Sequence, residues 1–191
     1  MGKYFLVVVF LFLHVGLFSL CTVYFTPRDD VKNILIGLIN EEKRSIDCAM
    51  YMFTEKSIAQ AMLQAYLRGV KIRIILDPIS MDEKYGKGLF LKNNGISVCV
   101  YNSCSTRTFF EPIMHHKFFI FGLNSLLQRS LVWTGSYNCT SSASRLHEEN
   151  VIVTDDMSAI SEYQKCFIAM LNRFDTIRYI DIETETQEGY L

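Results

Sequence analysis

The sequence lacks a strong charge of either sign, a disulfide pattern and any internal repeat. Its 191 residues carry 19 Lys and Arg against 20 Asp and Glu, a formal net charge of −1. That balance excludes a highly basic nucleic-acid coat protein and an acidic tail protein. Six irregularly spaced cysteines do not suit a disulfide scaffold. A hydrophobic fraction of 50% excludes disorder, and the length suits one ordinary domain with a short appendage.

Charged side chains are also missing from the whole segment between Tyr4 and Phe25. About 20 apolar residues suffice to cross a bilayer as a helix. We therefore expect residues 4–25 to form a transmembrane-type helix, with residues 1–26 acting as a single-pass membrane anchor. The alternative is a cleaved signal peptide, which would leave the protein secreted or periplasmic, although no A-x-A pattern precedes Thr26.

Residues 27–174 are predicted to fold as one α/β domain. Apolar residues recur at helical spacing after Asp30 and again after Thr54, and the first strands alternate with these helices. This rhythm predicts a mixed, largely parallel β-sheet flanked by helices. We expect residues 175–191, which carry five acidic residues and one arginine, to be an acidic flexible tail. Strands are predicted at 45–53, 70–77, 96–101, 117–121, 130–134 and 149–153.

Polar residues with useful chemistry cluster where three of these strands begin or end. His115 and Lys117 open one predicted strand, and Ser136 and Asn138 follow the end of the next. Glu149 comes eleven residues after Asn138 and opens a third strand. Strand ends of an α/β sheet are where binding sites tend to form.

These residue types together suit the cleavage of a phosphodiester without a metal or cofactor. A histidine is a good nucleophile toward phosphorus and a good proton carrier near neutral pH. A lysine two residues away on a strand lies on the same face, so its charge can bind the same phosphate. Serine and asparagine add neutral donors, and a carboxylate can stabilise the imidazolium.

The motifs His115-x-Lys117, Gly135-Ser136-x-Asn138 and Glu149-Asn150 resemble those of the phospholipase D superfamily. The preceding segment, residues 48–77, is similar to the strand–helix–strand of its small members with one His-x-Lys motif. Those members include bacterial endonucleases and mitochondrial cardiolipin hydrolases, and they build one active site from two subunits.

The resemblance implies a role for each residue. His115 of one subunit would attack phosphorus and form a phosphohistidine, and His115 of the other subunit would protonate the leaving oxygen. Lys117, Ser136 and Asn138 would bind the phosphate, and Glu149 would orient His115. The resemblance thus implies a homodimer whose active site is shared across the interface.

The chain departs from the family motif at one position. The motif reads His-x-Lys-x4-Asp, and its last position is Gly122 here. We expect an endonuclease acting on single-stranded DNA or RNA. One alternative is a phospholipase D-type hydrolase of cardiolipin or another phospholipid, which membrane anchoring favours. A second is a catalytically degenerate, anchored phosphate-binding protein, which the missing aspartate would explain.

Overall fold

The computed structural model describes residues 19–82, 84–101 and 112–188, and from residue 174 onward only the helical backbone. A seven-stranded sheet runs through the middle of the domain in the order β1-β7-β6-β5-β2-β3-β4. The strands are β1 (Cys21–Phe25), β2 (Ser45–Met50), β3 (Lys71–Leu76), β4 (Ser97–Val100), β5 (Lys117–Asn124), β6 (Arg129–Gly135) and β7 (Asn150–Thr154). The helices are α1 (Val31–Asn40), α2 (Lys56–Leu67), α3 (Gly88–Asn93), α4 (Ser141–Arg145) and α5 (Met157–Glu188), with a 3₁₀ helix at Pro78–Met81.

The sheet is mixed and flanked by helices as expected, but it is not largely parallel. Only the pairings β2–β3 and β3–β4 are parallel, and the other four are antiparallel. Parallel neighbours need a crossover connection, which α2 and α3 supply in the first half of the chain. After β5, each strand pairs antiparallel with the one before. Four residues join β5 to β6, and the connection from β6 to β7 contains only the short helix α4.

Two apolar layers cover the sheet. Leu35 of α1 and Met62 of α2 pack with Trp133 on one face, while Phe167 of α5 packs with Phe118 on the other. Side chains along β5 alternate between the two layers, so the Phe-rich run 118–121 is buried on both faces. This central strand carries the His-x-Lys motif at its amino end.

The N-terminal boundary of the domain differs from the prediction. Cys21–Phe25 is not helical but forms the edge strand β1, antiparallel to β7. Its β-branched and aromatic residues suit a pleated edge as well as they suit an apolar helix. Residues 1–18 of the predicted anchor lie outside the described residues. Within the described ranges, no helix combines the length and apolarity that a bilayer crossing requires.

The C-terminal tail also differs from the prediction. Residues 175–188 continue helix α5, which extends to Glu188. No glycine or proline interrupts the chain between Met157 and Glu188, so the backbone hydrogen-bond ladder has no breaking residue until Gly189. The acidic residues of the predicted tail are therefore part of a helix.

Candidate active site

The sheet register brings the predicted site residues to one edge. Met50 at the carboxyl end of β2 pairs with Lys117 at the amino end of β5. Gly135 at the end of β6 pairs with Val151 near the start of β7. The segments that carry the His-x-Lys motif, the Gly-Ser-x-Asn motif and the glutamate therefore meet at the same end of neighbouring strands.

His115 and Lys117 are held together by a tyrosine that the sequence analysis did not identify. The ring of Tyr51, the residue after β2, lies 4.6 Å from the His115 ring, centroid to centroid. The Lys117 Nζ lies 5.1 Å from the centre of the same tyrosine ring and donates a hydrogen bond of 2.7 Å to the His115 carbonyl oxygen. The backbone of Tyr51 donates to the His116 carbonyl at 2.9 Å. Tyr51 thus fixes both the backbone and the side chains of the motif.

The two adjacent histidines face different surroundings. The His115 ring lies against Tyr51, whereas the His116 ring lies 5.7 Å from Phe118, on the side of the sheet that α5 covers. Alternation along a strand produces this separation. His116, the residue between His115 and Lys117 in the motif, thus lies apart from the Tyr51 side.

Burial lowers the pKa of both His115 and Lys117, and nearby charges modify each shift. Partial burial lowers the pKa of His115, and the Lys117 ammonium lowers it further, while the Asp77 carboxylate acts in the opposite direction. Burial also lowers the pKa of Lys117, and Glu149 opposes this shift. Burial and the Lys117 charge therefore favour the neutral imidazole of His115, the form whose nitrogen lone pair can attack phosphorus.

Asn138 is anchored to the loop that follows β2. Its Oδ1 accepts a hydrogen bond of 3.2 Å from the backbone N–H of Met52. The next residue, Cys139, accepts hydrogen bonds from the N–H groups of Thr54 and Glu55, at 2.9 and 2.8 Å. With Oδ1 occupied, the Nδ2 amide of Asn138 is the group left to donate to a substrate oxygen.

Ser136 and Glu149 form a connected pair. The Ser136 hydroxyl donates a short hydrogen bond to Oε2 of Glu149 and accepts one of 3.1 Å from the Asn150 N–H. The other carboxylate oxygen of Glu149 lies 3.7 Å from Nδ1 of His147. Within one chain, Glu149 therefore contacts Ser136 and His147 rather than the predicted partner His115. The hydroxyl proton of Ser136, which was predicted to bind the phosphate, is directed to Glu149 in this structure.

Two further residues that sequence reasoning missed hold the site in place. The buried carboxylate of Asp77 accepts a hydrogen bond of 3.1 Å from the N–H of Met114, the residue before His115. Thr26 Oγ1 accepts a hydrogen bond of 2.9 Å from the Glu149 N–H, although Thr26 was predicted to belong to the anchor. A carboxylate directly after strand β3 was a usable signal for Asp77, whereas no local pattern marks Thr26.

Gly122, where the family motif has aspartate, lies toward the far end of β5. A Cβ atom built there would lie 2.4 Å from the Ser45 Oγ, so the position admits no side chain without a shift. Ser130 Oγ donates a hydrogen bond of 2.7 Å to the Gly122 carbonyl oxygen, and the Arg44 guanidinium donates another to the same oxygen. In the described ranges, no three His, Cys, Asp or Glu side chains are grouped to hold a metal ion.

The chain matches known sequences over most of its length. A family model described as "Cardiolipin synthase, PLD-like domain" matches residues 35–171. The mitochondrial cardiolipin hydrolase of Xenopus tropicalis is 28% identical over 159 residues, covering 83% of this chain and 70% of that protein. The phospholipase D of Rickettsia felis is 30% identical over 139 residues, covering 73% of this chain and 63% of that protein. The aligned part thus spans about two thirds of these relatives.

Solved structures share the fold. NucT from Helicobacter pylori superposes with a TM-score of 0.70 at 24% identity, covering 81% of this chain and 96% of that one. The phospholipase D family member Nuc from Salmonella typhimurium gives 0.62 at 24% identity, covering 81% and 95%. The motif residues at the common sheet edge and the family match agree, and the chain therefore belongs to the phospholipase D superfamily and is a phosphodiesterase of that superfamily.

Proposed function

We propose that this phosphodiesterase hydrolyses nucleic-acid phosphodiester bonds without a metal, through a phosphohistidine formed on His115. The observation that carries the proposal is the arrangement on Tyr51, which sets the imidazole of His115 beside the buried ammonium of Lys117. A nucleophile and a cation for the non-bridging oxygens are thereby present at one place. Asn138 Nδ2 adds a neutral donor to the phosphate.

The reaction proceeds by two displacements at phosphorus. An imidazole nitrogen of His115 attacks the phosphorus, the bond to the leaving oxygen breaks, and a second histidine gives that oxygen a proton. Water then attacks the phosphohistidine, loses its proton to the second histidine, and releases His115. The charge that develops on the phosphoryl oxygens is stabilised by Lys117 and Asn138.

The second histidine is His115 of another copy of the chain. In the described part of one chain, His116 turns toward Phe118 and His147 pairs with Glu149. Neither is placed with His115 on the Tyr51 side, so the acid comes from a partner, and we infer a homodimer with a shared site. With a shared site, adding His115→Ala chains to a fixed amount of wild-type protein should lower the total activity, because mixed dimers have only one of the two histidines. Full activity of a monomer in sedimentation would overturn this inference.

Nucleic acid is the substrate that the surface beside the site supports. Tyr85 is an exposed aromatic ring flanked by Lys84 and Lys87. Alternating aromatic and basic side chains suit the stacked bases and phosphates of a single strand. A phospholipid is the second candidate, favoured by the cardiolipin hydrolase and phospholipase D names of the relatives and by the apolar segment before β1.

The deciding experiment compares both substrates on the full chain in detergent with EDTA present. We expect cleavage of labelled single-stranded DNA or RNA that disappears in His115→Ala and persists in the matched control His116→Ala. Release of phosphatidate from cardiolipin in mixed detergent micelles, without nucleic-acid cleavage, would instead support the lipid function. Binding without turnover of either substrate would support the degenerate alternative, and a strict need for added divalent metal would contradict the mechanism.

We infer that the apolar segment ahead of β1 attaches the enzyme to a membrane. Ser19 and Leu20 lie outside any helix and bond to Asp155, so the uncharged stretch ahead of them runs from Tyr4 to Phe18. It is 15 residues long, just under the roughly 17 that a membrane-crossing helix needs. Alkaline extraction of membranes should leave the full chain in the pellet. A soluble product whose N-terminus begins after this segment would show the secreted or periplasmic alternative.

A further inference from the structure

A groove of about 600 Å³ opens beside the catalytic edge of the sheet. One wall is the loop after β2, and the other is the 3₁₀ helix with the turn that follows it. Its lining is mainly apolar and aromatic, with one acid at the turn. The lining residues are Met52, Thr54, Pro78, Ile79, Met81, Asp82 and Tyr85.

Both walls are tied directly to the proposed catalytic residues. Met52 in the first wall donates its N–H to Oδ1 of Asn138 at 3.2 Å. The second wall begins directly after Asp77, whose carboxylate binds the N–H groups of Met114 and Ile79, each at 3.1 Å. The walls of the groove are therefore bonded to Asn138 and to the residue before His115.

Hydrogen bonds and close packing hold the backbone at Lys84, Tyr85 and Gly86. Asp82 Oδ1 accepts hydrogen bonds from the N–H groups of Lys84 and Tyr85, at 2.9 and 2.8 Å, so the groove's acid is already engaged. Gly86 packs so closely on the 3₁₀ helix that an added Cβ would lie 2.2 Å from the Ser80 carbonyl oxygen. The backbone N–H of Tyr85 and the following glycine are thus held in place, and Tyr85 is 61% exposed.

Two lysines lie beside the ring, and the preceding Asp82 and Glu83 balance their formal charge in the sequence. Lys84 Nζ lies 4.8 Å from the Tyr85 ring centre, and Lys87 Nζ donates 2.9 Å to the Tyr85 carbonyl. The phosphates of a phospholipid headgroup would also attract the ammonium groups, but its acyl chains offer no flat face to the tyrosine ring. A nucleotide offers both, because its base stacks and its neighbouring phosphates attract cations.

We propose that this groove binds a base of a single-stranded nucleic acid next to the scissile phosphate, with Tyr85 as the stacking ring and Lys84 and Lys87 as contacts to the flanking phosphates. The proposal rests on the proposed nuclease function and specifies how its substrate is held. It makes Tyr85 a determinant of substrate affinity that takes no part in the chemical step.

The first test separates affinity from chemistry with full-chain variants. Tyr85→Ala should raise KM for a single-stranded oligonucleotide about 5- to 100-fold, as expected for the loss of one base–aromatic stack, with kcat nearly unchanged. Tyr85→Phe should retain most of the affinity. Tyr66→Ala on α2, a partly exposed tyrosine beside Gly95, is the matched control and should change nothing.

The second test removes the base instead of the ring. A fully abasic strand of equal length should bind wild type more weakly by a similar factor, and Tyr85→Ala should then cause no further loss. An equal effect of Tyr85→Ala on both strands would overturn the groove assignment. So would an effect on turnover of micellar cardiolipin alone, which would indicate an acyl chain in the groove.

The failures of the two proposals are distinguishable. If wild type does not cleave nucleic acid at all, the nuclease function fails and the base-binding groove fails with it. If wild type cleaves the oligonucleotide and Tyr85→Ala cleaves it with the same KM, only the groove assignment is overturned.

Discussion

The buried carboxylate of Glu42 accepts a hydrogen bond of 2.8 Å from the backbone N–H of Leu123, directly after the glycine that replaces the motif aspartate. The same oxygen accepts bonds from the N–H groups of Arg44 and Ser45, at 2.8 and 3.0 Å. A carboxylate from the α1–β2 turn therefore lies against β5 where the motif has lost its own. By joining this turn to β5, Glu42 helps to fix the β2–β5 register, which places Lys117 opposite Met50.

Replacing Glu42 should destabilise the fold. Glu42→Ala leaves three backbone donors without their acceptor, and we expect a loss of about 3–5 kcal/mol in the free energy of unfolding. Glu42→Gln should cost less because it keeps an acceptor oxygen, although its amide replaces Oε2, which is buried without a partner in the described residues. Denaturant midpoints measure both, with the exposed Glu162→Ala as control; equal losses at Glu42 and Glu162 would contradict the assignment.

Restoring the motif aspartate should harm this protein. Gly122→Asp forces a Cβ to within 2.4 Å of Ser45 Oγ, so we expect a loss of about 1–3 kcal/mol, with a similar loss for Gly122→Ala. Adding Ser45→Ala should recover part of it. Gly37→Ala in α1, whose added Cβ has nothing within 4 Å, is the control and should be neutral or stabilising. A more stable and more active Gly122→Asp protein would refute this view of the site.

Removing the Asp77 charge should move the pH profile in a predictable direction. Because the Asp77 carboxylate favours the imidazolium, Asp77→Asn lowers the pKa of His115 further. The acidic limb of kcat/KM, which reports loss of the proton from the attacking imidazole, should then shift to lower pH on bis(p-nitrophenyl) phosphate. Asp47→Asn, whose partner is Arg73, serves as control. An activity loss that is uniform across pH would mean that Asp77 acts only through the Met114 backbone.

Removing the Glu149 charge should change the alkaline side of the pH profile. Glu149 favours the ammonium of Lys117, so Glu149→Gln lowers the pKa of Lys117 beyond the effect of burial. The alkaline rise in KM for the same small phosphodiester, caused by loss of the ammonium, should then begin at lower pH. The neighbouring exposed carboxylate offers the control Glu148→Gln, which should leave the profile in place. A profile that moves to higher pH would show that Glu149 does not act on Lys117.

Short-range chemistry made much of the site predictable. A histidine and a lysine two residues apart on a strand lie on the same face whatever surrounds them, and Ser136 and Asn138 follow a strand end by the same local rule. Tyr51 and Asp77 follow other strands at the same sheet edge. Their contacts with His115 and Met114 depend on which strands are neighbours, which no local pattern specifies.

The sequence by itself determined the residue types of the site, the α/β class and the two-sided burial of β5, because side-chain period and hydrophobicity are local properties. The tertiary structure alone decided the strand directions, the joining of Cys21–Phe25 to the sheet, the pairing of Glu149 with Ser136 and the contact of Glu42 with Leu123. These depend on pairings between residues far apart in the chain, and such pairings are selected by the packing of the whole domain.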